Sequence, residues 1–288
     1  MTDETSKLRG ATLTTSGFEG MEGAGVRIRR LIMTDDVPMI DPFLMLDWFH
    51  SDTPQDYLAG FPDHPHRGFE TVTYMLAGKM RHGDNKGNDG VVGPGDIQWM
   101  TAGAGIVHSE MPEQIDGLLS GFQLWVNLPA AHKMSAPRYQ DVVAGDIPVD
   151  VREGQGASAR VITGTTSTGI SGPVSNVVTD PLYLDVHLDA GGTFEEPVAY
   201  GHQGFVMVHE GQVTLDGAEG ASVVLERGQL AVLGPGDLVR LRAEEQPAKA
   251  LLVAAQPINE PVVQGGPFVM NTREEVLQAF SDFRNGAM

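Results

Sequence analysis

The sequence predicts an all-β fold in which two related β-barrels are followed by one short C-terminal helix. Short apolar runs of strand or hairpin length are interrupted along the whole chain by Gly, Pro, Asn and Asp. One turn motif occurs in both halves of the chain, and clear helical spacing of apolar residues occurs near the end. The first observation predicts the class, the second the number of barrels and the third the helix.

Several apolar runs show the alternation of half-buried strands. In DLVRLRA, the apolar Val239 and Leu241 fall on one face, and the arginines that follow each of them fall on the other. Many strands at short spacing with Gly and Pro turns are typical of a β-sandwich or barrel. The strand-like runs are 25–32, 70–78, 96–103, 121–128, 204–217, 229–234, 237–243 and 248–256.

The repeated turn motif has the form apolar-Gly-Pro-Gly-Asp and occupies residues 92–96 and 233–237. A single copy is explained by turn chemistry alone, because Pro presets its own φ and Gly supplies a positive φ. Each copy, however, follows a strand-ending glycine, Gly78 or Gly211, by about 15–25 residues. The recurrence therefore predicts two copies of one barrel unit.

Residues near the C-terminus carry a helix signal. Thr272 and Glu275 have the spacing of a capping box. Val276, Phe280 and Phe283 follow at helical intervals. We expect a terminal helix that packs on the body of the protein.

A stretch rich in Gly, Ser, Thr and Pro lies in the middle of the chain, at 129–180. Such a composition is typical of a connection between domains. We therefore predict an N-terminal domain at 1–135 and a linker region with one or more crossing strands at 136–180. A C-terminal domain, which includes the helix, is predicted at 181–288.

The composition excludes several classes of site and partner. The 288 residues include no cysteine, which excludes a disulfide framework, a thiolate zinc site, an iron–sulfur cluster and a cysteine nucleophile. Any metal site must therefore use histidine and carboxylate. The formal net charge of −19 argues against direct binding of nucleic acid, because neutralising phosphates requires clustered Lys and Arg.

The apolar runs and the N-terminal residues show no pattern of a targeting or membrane segment. No apolar run reaches the ~18 residues of a membrane span, and residues 1–10 lack the apolar stretch of a signal peptide. We expect a cytoplasmic protein with no membrane partner.

Two short segments concentrate potential metal ligands. His64 and His66 are two residues apart, so they share one face of an extended segment. His108 and Glu110 repeat this spacing. Two barrel strands with two ligands each make a site of three histidines and one carboxylate. The alternative is that the first pair are turn residues beside a proline and that His108 is a hydrogen-bonded core residue.

The donor set indicates which metals fit. Three imidazoles with one carboxylate suit Fe, Mn, Co, Ni, Cu or Zn, and do not suit Ca or Mg. Four ligands on a six-coordinate ion leave two positions for substrate or dioxygen, whereas zinc settles more readily as a closed tetrahedron. Glu70, four residues after His66, competes with Glu110 for the carboxylate position, and we rank it second.

The remaining histidines are predicted to lie outside the ligand set. His50 is expected to lie next to the ligands without binding the metal itself. His82, in the polar segment RHGDNKGNDG, is expected to be solvated. The others have no partner at ligand spacing: His132, His187, His202 and His209.

Five segments together resemble the pirin family of the cupin superfamily. The most specific are HPHRGFETVTY at 64–74 and GIVHSE at 105–110. Against a generic cupin, Gly103 stands where Pro is usual, and Glu110 supplies a ligand at a place that generic cupins do not use. The resemblance spans almost the whole chain. The other matching segments are DPFLMLD at 41–47, VGPGDIQWMTAG at 92–103 and GPFVMNT at 266–272.

The resemblance implies two cupin barrels, of the double-stranded β-helix or jelly-roll type, packed together. It implies Fe(II) in the N-terminal barrel, and the family's ligands fall on the four residues already selected by spacing: His64, His66, His108 and Glu110. The C-terminal barrel is expected to hold no metal, because AKALLVAAQP at 248–257 contains neither His nor carboxylate.

The resemblance also implies an activity like that of quercetin 2,3-dioxygenase, which opens a flavonol ring with O₂. Glu110 would then take the proton of the flavonol 3-hydroxyl as general base, and a small aromatic, flavonol-like substrate would need an apolar mouth. The alternative is a metal-dependent regulatory protein that binds a protein partner without turnover, as eukaryotic family members imply. Candidate lining residues are Phe43, Met45, Phe61, Trp99 and Met100.

Overall fold

The computed structural model describes residues 7–288 and divides into two compact units. The first barrel comprises Phe18–Ala144 with Ile258–Met288, and the second comprises residues 7–17 with Gly145–Pro257. Each unit is built almost entirely of antiparallel strands. The prediction of an all-β chain with two barrels and one short C-terminal helix is confirmed.

The strands are numbered in chain order. The first twelve are β1 (Ala11–Thr15), β2 (Phe18–Glu22), β3 (Val26–Ile32), β4 (Phe43–Ser51), β5 (Phe61–His66), β6 (Phe69–Ala77), β7 (Met80–Asp84), β8 (Asp89–Val92), β9 (Ile97–Thr101), β10 (Ile106–Pro112), β11 (Leu119–Asn127) and β12 (Arg138–Val142). The next are β13 (Val149–Arg152), β14 (Ala157–Thr163), β15 (Leu182–Leu188), β16 (Thr193–Pro197), β17 (Gln203–Glu210) and β18 (Gln212–Asp216). The last are β19 (Ser222–Glu226), β20 (Leu230–Leu233), β21 (Leu238–Arg242), β22 (Ala248–Ala255), β23 (Val263–Gly265) and β24 (Phe268–Met270), followed by helix α1 (Arg273–Arg284). Short 3₁₀ turns occupy Pro54–Asp56, Ala130–His132, Ala144–Asp146 and Ala218–Gly220.

The two barrels have the same sheet order. In the first, a seven-stranded sheet β12-β9-β6-β11-β4-β3-β2 accompanies a four-stranded sheet β5-β10-β7-β8. In the second, the sheets are β1-β20-β17-β22-β15-β14-β13 and β16-β21-β18-β19. The strands correspond position by position, so the prediction of two copies of one barrel unit is confirmed. The two turn motifs, however, lie at different turns, because the first precedes β9 whereas the second follows β20 and precedes β21, the match of β10.

Glycines at the predicted turns adopt the backbone that the motif requires. Gly78 and Gly211, which end strands β6 and β17, have φ of 78° and 69°. Gly95 of the first pentapeptide has φ of 82°, in the left-handed region that favours glycine. Asp96 closes that turn, because its Oδ2 accepts a hydrogen bond of 2.7 Å from the Gly93 amide.

The two units do not follow the predicted division at 135 and 181. Strand β1 is hydrogen-bonded along β20 and so belongs to the second barrel. Residues 258–288, with β23, β24 and α1, belong to the first. The predicted linker at 136–180 contains three strands, of which β12 pairs with β9 of the first barrel, and β13 and β14 pair with each other in the second. The pairings of β1 with β20 and of β12 with β9 join residues far apart in sequence, so composition alone does not reveal them.

The helix begins as predicted. Thr272 Oγ1 accepts a hydrogen bond from the Glu275 amide, and Glu275 Oε2 accepts one from the Thr272 amide, which is a reciprocal capping box. Val276 is buried, whereas Phe280 and Phe283 are partly exposed and contact the ring of Phe268.

No helix among residues 7–288 combines the length and the apolarity that crossing a membrane would require. The cytoplasmic location stays a prediction.

Candidate metal centre

Two antiparallel strands of the first barrel bring three histidines together. On β5 and β10, His64 lies directly opposite His108, and His66 lies opposite Ile106. Because side chains two residues apart share a face of a strand, His64 and His66 project on the same side. One candidate ligand nitrogen from each of His64, His66 and His108 lies within 4.8 Å of the others. The ring centroids are 4.4 to 5.1 Å apart.

The ring nitrogens of these histidines suit metal coordination. His66 Nδ1 and both nitrogens of His108 are buried and have no hydrogen-bond partner among the described residues. His64 Nδ1 is 2.9 Å from the carbonyl oxygen of Pro62. A carbonyl only accepts, so Nδ1 carries the proton and the lone pair of Nε2 is left available.

Burial also keeps two of the histidines neutral. Desolvation, reinforced by His64, holds the pKa of His66 well below its usual range. Desolvation, reinforced by three neighbouring histidines, does the same to the pKa of His108. A neutral imidazole is the form that binds a metal. The group therefore has the composition, spacing and protonation state of a site that could hold a metal ion.

Glu110 lies beside the three histidines without being one of the group within 4.8 Å. A bulge interrupts the β10–β5 register between His108 and Glu110, yet both side chains are buried. Glu110 Oε1 is 3.2 Å from Thr73 Oγ1, and Gln123 Nε2 is 3.3 Å from each oxygen of the carboxylate. The structure thus places a buried carboxylate next to the histidines, where its role as a ligand stays a prediction.

Glu70, the competing carboxylate, lies elsewhere. Its Oε1 accepts a hydrogen bond of 2.6 Å from Thr101 Oγ1, and burial raises its pKa. The strand is not continuous from His66 to Glu70, because β5 ends at His66 and Gly68 turns the backbone with φ of 88°. Spacing of four residues therefore does not place Glu70 on the face of His66.

His82 is not solvated, so that prediction is wrong. Its side chain is 4% exposed and lies on β7 directly opposite Glu110. Nε2 is 3.6 Å from Glu110 Oε1, and burial lowers the pKa of His82. The polar turn begins only after Asp84, whereas His82 and the buried Met80 lie two residues apart on the strand, on the same face. That period of two was the signal in the sequence that could have identified it.

Two histidines of the second barrel share one buried carboxylate. Asp185 stands two residues before His187 and contacts it, so the prediction that His187 has no partner at ligand spacing is wrong. Asp185 on β15 is buried between His187 Nε2 at 3.2 Å and His209 Nε2 at 2.9 Å. His209 comes from β17, so the contact depends on sheet topology. In the first barrel, His50 Nδ1 contacts Ser120 Oγ at 2.9 Å.

A cavity of about 600 Å³ lies against the candidate centre in the first barrel. Its polar wall includes His64, His66 and Glu110, with Gln123 beside them. Of the five predicted lining residues, two line the cavity, Met45 and Phe61. The other three are buried and are not among the residues that line it: Phe43, Trp99 and Met100. Ile28, Phe49 and Met80 provide apolar wall that was not predicted.

The cavity wall also carries a fixed ion pair. Arg30 Nε is 2.8 Å from Asp47 Oδ1, and its Nη2 is 2.7 Å from Asp47 Oδ2. Glu22 lies 2.8 Å from the same Nη2. Burial raises the pKa of Asp47. The contacts with Arg30 lower it but do not outweigh the effect of burial. The bidentate geometry holds the guanidinium at one place in the wall.

Comparison with known proteins gives the family. Residues 25–126 match the Pirin family model, and residues 183–288 match the Pirin C-terminal cupin domain. A pirin-like protein of Caulobacter vibrioides is 55% identical over 92% of this chain and 94% of its own length. Pirin of Homo sapiens is 43% identical over 95% of this chain and 92% of its own.

A solved structure, quercetin 2,3-dioxygenase from Acinetobacter baumannii, superposes with a TM-score of 0.87. It is 34% identical and covers 98% of this chain and 100% of its own. Sequence models, relatives and fold agree along both barrels, and the chain therefore belongs to the pirin family.

Proposed function

We propose that His64, His66, His108 and Glu110 hold one Fe(II) ion, with Mn, Co, Ni, Cu or Zn as alternative metals. The observation that carries the proposal is the convergence of three imidazoles next to a buried carboxylate, with His66 Nδ1 and both His108 nitrogens buried and without a partner among the described residues. Nitrogen ligands with one carboxylate favour these metals over Ca and Mg. Such an ion would supply open positions for substrate and dioxygen.

The proposed activity is oxidative ring cleavage of a quercetin-type flavonol with O₂. A cavity of about 600 Å³ has the size of a small-molecule site. Its apolar wall, which includes Met45 and Phe61, suits a planar aromatic ring. The likeness to the Acinetobacter quercetin 2,3-dioxygenase supports this choice of substrate class.

Glu110 is the proposed general base. Its carboxylate lines the cavity and would accept the proton of the flavonol 3-hydroxyl. Gln123 and Thr73 contact the carboxylate at 3.2 to 3.3 Å. The apolar side chains around the cavity would exclude water from the ring as it is positioned.

Turnover tests the proposal directly. The protein would be stripped of metal, loaded with Fe(II), and mixed with quercetin in air, and we expect loss of the flavonol absorbance together with release of carbon monoxide. Glu110→Gln should lower the rate at least about 100-fold, as expected for loss of a general base. His202→Ala, which alters a side chain of the second barrel, is the matched control and should retain the rate.

The second candidate is a metal-dependent regulatory protein that binds a protein partner without turnover. The relatives that are named simply pirin include the protein of Homo sapiens, which is 43% identical over 95% of this chain. The Acinetobacter quercetin 2,3-dioxygenase is 34% identical and covers 98% of this chain, so sequence identity does not favour the enzyme. Absence of flavonol turnover with every first-row metal, combined with stoichiometric metal binding, would favour this second function over the first.

A further inference from the structure

His82 is a buried histidine without a hydrogen-bond partner for either ring nitrogen among the described residues. It is 4% exposed, and its strand places it directly opposite Glu110. Its Nε2 lies 3.6 Å from Glu110 Oε1, just beyond hydrogen-bond distance. Buried polar groups nearly always have partners, so an unpartnered imidazole beside a carboxylate calls for a specific explanation.

Among the described residues, the hydrogen-bond donors to the Glu110 carboxylate are Thr73 and Gln123, and both contacts are long. Thr73 has a single hydroxyl proton, and Thr73 Oγ1 lies closer to Gln123 Oε1, at 2.7 Å, than to Glu110 Oε1, at 3.2 Å. Gln123 Nε2 is shared between both carboxylate oxygens at 3.3 Å. None of these contacts selects one orientation of the carboxylate strongly.

We propose that His82 is a positioning residue of the metal centre, whose Nε2–H donates to Glu110 Oε1 and leaves Oε2 for the metal. This inference rests on the proposed function, in which Glu110 is a ligand. A small rotation of the His82 ring is enough to bring the 3.6 Å separation into hydrogen-bond range. Carboxylate ligands are commonly oriented by such neighbouring donors.

A second cavity beside His82 offers a place for water at the ring nitrogen that does not donate to Glu110. About 280 Å³ in volume, it is lined by His82 together with Gln98, Tyr139 and Asp141. Asn88 and Asp89 at its rim are exposed, so the cavity extends from the surface to His82. A neutral imidazole has one donor and one acceptor nitrogen, and this cavity is large enough for water to meet the acceptor while the donor serves Glu110.

Metal affinity is the decisive measurement, with Co(II) as the probe because its visible spectrum reports on its ligands. His82→Leu should weaken Co(II) binding about 10- to 100-fold and change the Co(II) spectrum. His82→Gln, whose amide can reach as far as Nε2, should recover most of the affinity. His202→Leu in the second barrel should leave both readouts unchanged.

A double-mutant cycle separates positioning from packing. If His82 acts through Glu110, His82→Leu should cost little further affinity in a Glu110→Gln background. An equal loss in both backgrounds overturns the inference. If His82→Leu does not fold, the comparison of His82→Gln with His82→Asn decides instead, because the shorter amide cannot replace Nε2 and should lose affinity.

The outcomes also distinguish this inference from the function on which it rests. Wild-type affinity and spectrum in His82→Leu, or equally weak binding by His82→Gln and His82→Leu, overturn the role of His82 and leave the metal site intact. A wild-type protein that binds no Co(II) overturns both.

Discussion

At His66 and His108, the cost of burying an imidazole is reduced by keeping it uncharged. Burial holds the pKa of each well below the usual range, so both are neutral at pH 7. The remaining cost is that His66 Nδ1 and both His108 nitrogens lose water without gaining a partner among the described residues. A bound cation would remove that remaining cost, which is why these residues suggest a ligand group more strongly than exposed histidines would.

Loss of a ligand should abolish metal binding. We expect His64→Ala and Glu110→Ala to show no stoichiometric Fe(II) or Co(II) after equilibrium dialysis, because each removes one of four proposed donors. His202→Ala is the control and should bind as the wild type does. Equal binding by all three variants would mean that the site lies elsewhere.

A buried carboxylate in the second barrel gives a pH-dependent contribution to stability. Burial alone would raise the pKa of Asp185, but hydrogen bonds from His187 and His209 outweigh it and hold the pKa well below the usual range. The unfolded chain then binds the proton more readily than the folded chain. The stabilisation is therefore complete at neutral pH and is lost as the pH falls below about 3.9, the value for an unfolded Asp.

Asp185→Asn tests this contribution. At pH 7 the variant should lose about 1.5–3 kcal/mol of unfolding free energy, the range for hydrogen bonds to a charged group. Between pH 5 and 3, its stability should decline less steeply than that of the wild type, as measured by urea unfolding. Asp189→Asn, at an exposed site of the same barrel, should keep the wild-type profile. If Asp185→Asn loses stability between pH 5 and 3 as steeply as the wild type does, Asp185 is not the source of this pH dependence.

Residue spacing was sufficient to select the histidines of the candidate centre but not their surroundings. His64, His66 and His108 follow from the two-residue period of strands, which is a local property. His82 joins Glu110 through the β7–β10 pairing, and His209 joins Asp185 through the second barrel's sheet. Such contacts depend on strand order, which local spacing does not encode.

At the scale of elements, the turn from β5 to β6 determines where His66 lies. Gly68 has φ of 88°, its amide donates to the Gly103 carbonyl, and its own carbonyl accepts from Lys133 Nζ at 2.8 Å. A Cβ at this position would lie 2.0 Å from the carbonyl oxygen of Val269 in β24, which also accepts a hydrogen bond of 2.9 Å from Lys133 Nζ. The turn therefore tolerates only glycine.

Gly68→Ala should destabilise the first barrel severely. Gly87→Ala is a matched control, because Gly87 has a similar φ of 92° but no atom within 4 Å of an added Cβ. We expect the control to cost about 1–2 kcal/mol from backbone strain alone. Gly68→Ala should cost clearly more in urea unfolding and should weaken Co(II) binding, because His66 is two residues away. Equal costs for the two variants would show that the contact with Val269 is relieved easily.

Among the elements, those with local signals were predicted and those formed by distant pairing were not. The helix start follows from the capping box of Thr272 and Glu275, and the turns before β9 and β21 follow from their pentapeptides. Strand β1 contributes to the second barrel only through its pairing with β20. Pairing between strands that are distant in sequence depends on the whole sheet. Composition therefore could not show that the domain boundaries differ from those predicted at 135 and 181.

For the whole molecule, one sheet arrangement occurs twice with different side chains at the equivalent strands. The β5–β10 pair of the first barrel carries His64 opposite His108. The equivalent β16–β21 pair of the second carries Glu195 opposite Arg240, and these two side chains form an ion pair. An arginine stays protonated and cannot donate a lone pair to a metal. At this strand pair, an ion pair in the second barrel therefore stands where the first barrel has two of the three histidines.

Hydrogen exchange should report this asymmetry. A ligand present at about 100 times its dissociation constant stabilises the bound form by about 2.7 kcal/mol, or about 100-fold in the opening equilibrium. Saturating Co(II) should therefore slow exchange of amides in β5 and β10 that open locally, since such opening must release the ion. The matching amides of β16 and β21 should exchange at the rate of the metal-free protein. Equal protection of both strand pairs would contradict a single centre in the first barrel, and protection confined to β16 and β21 would move it to the second.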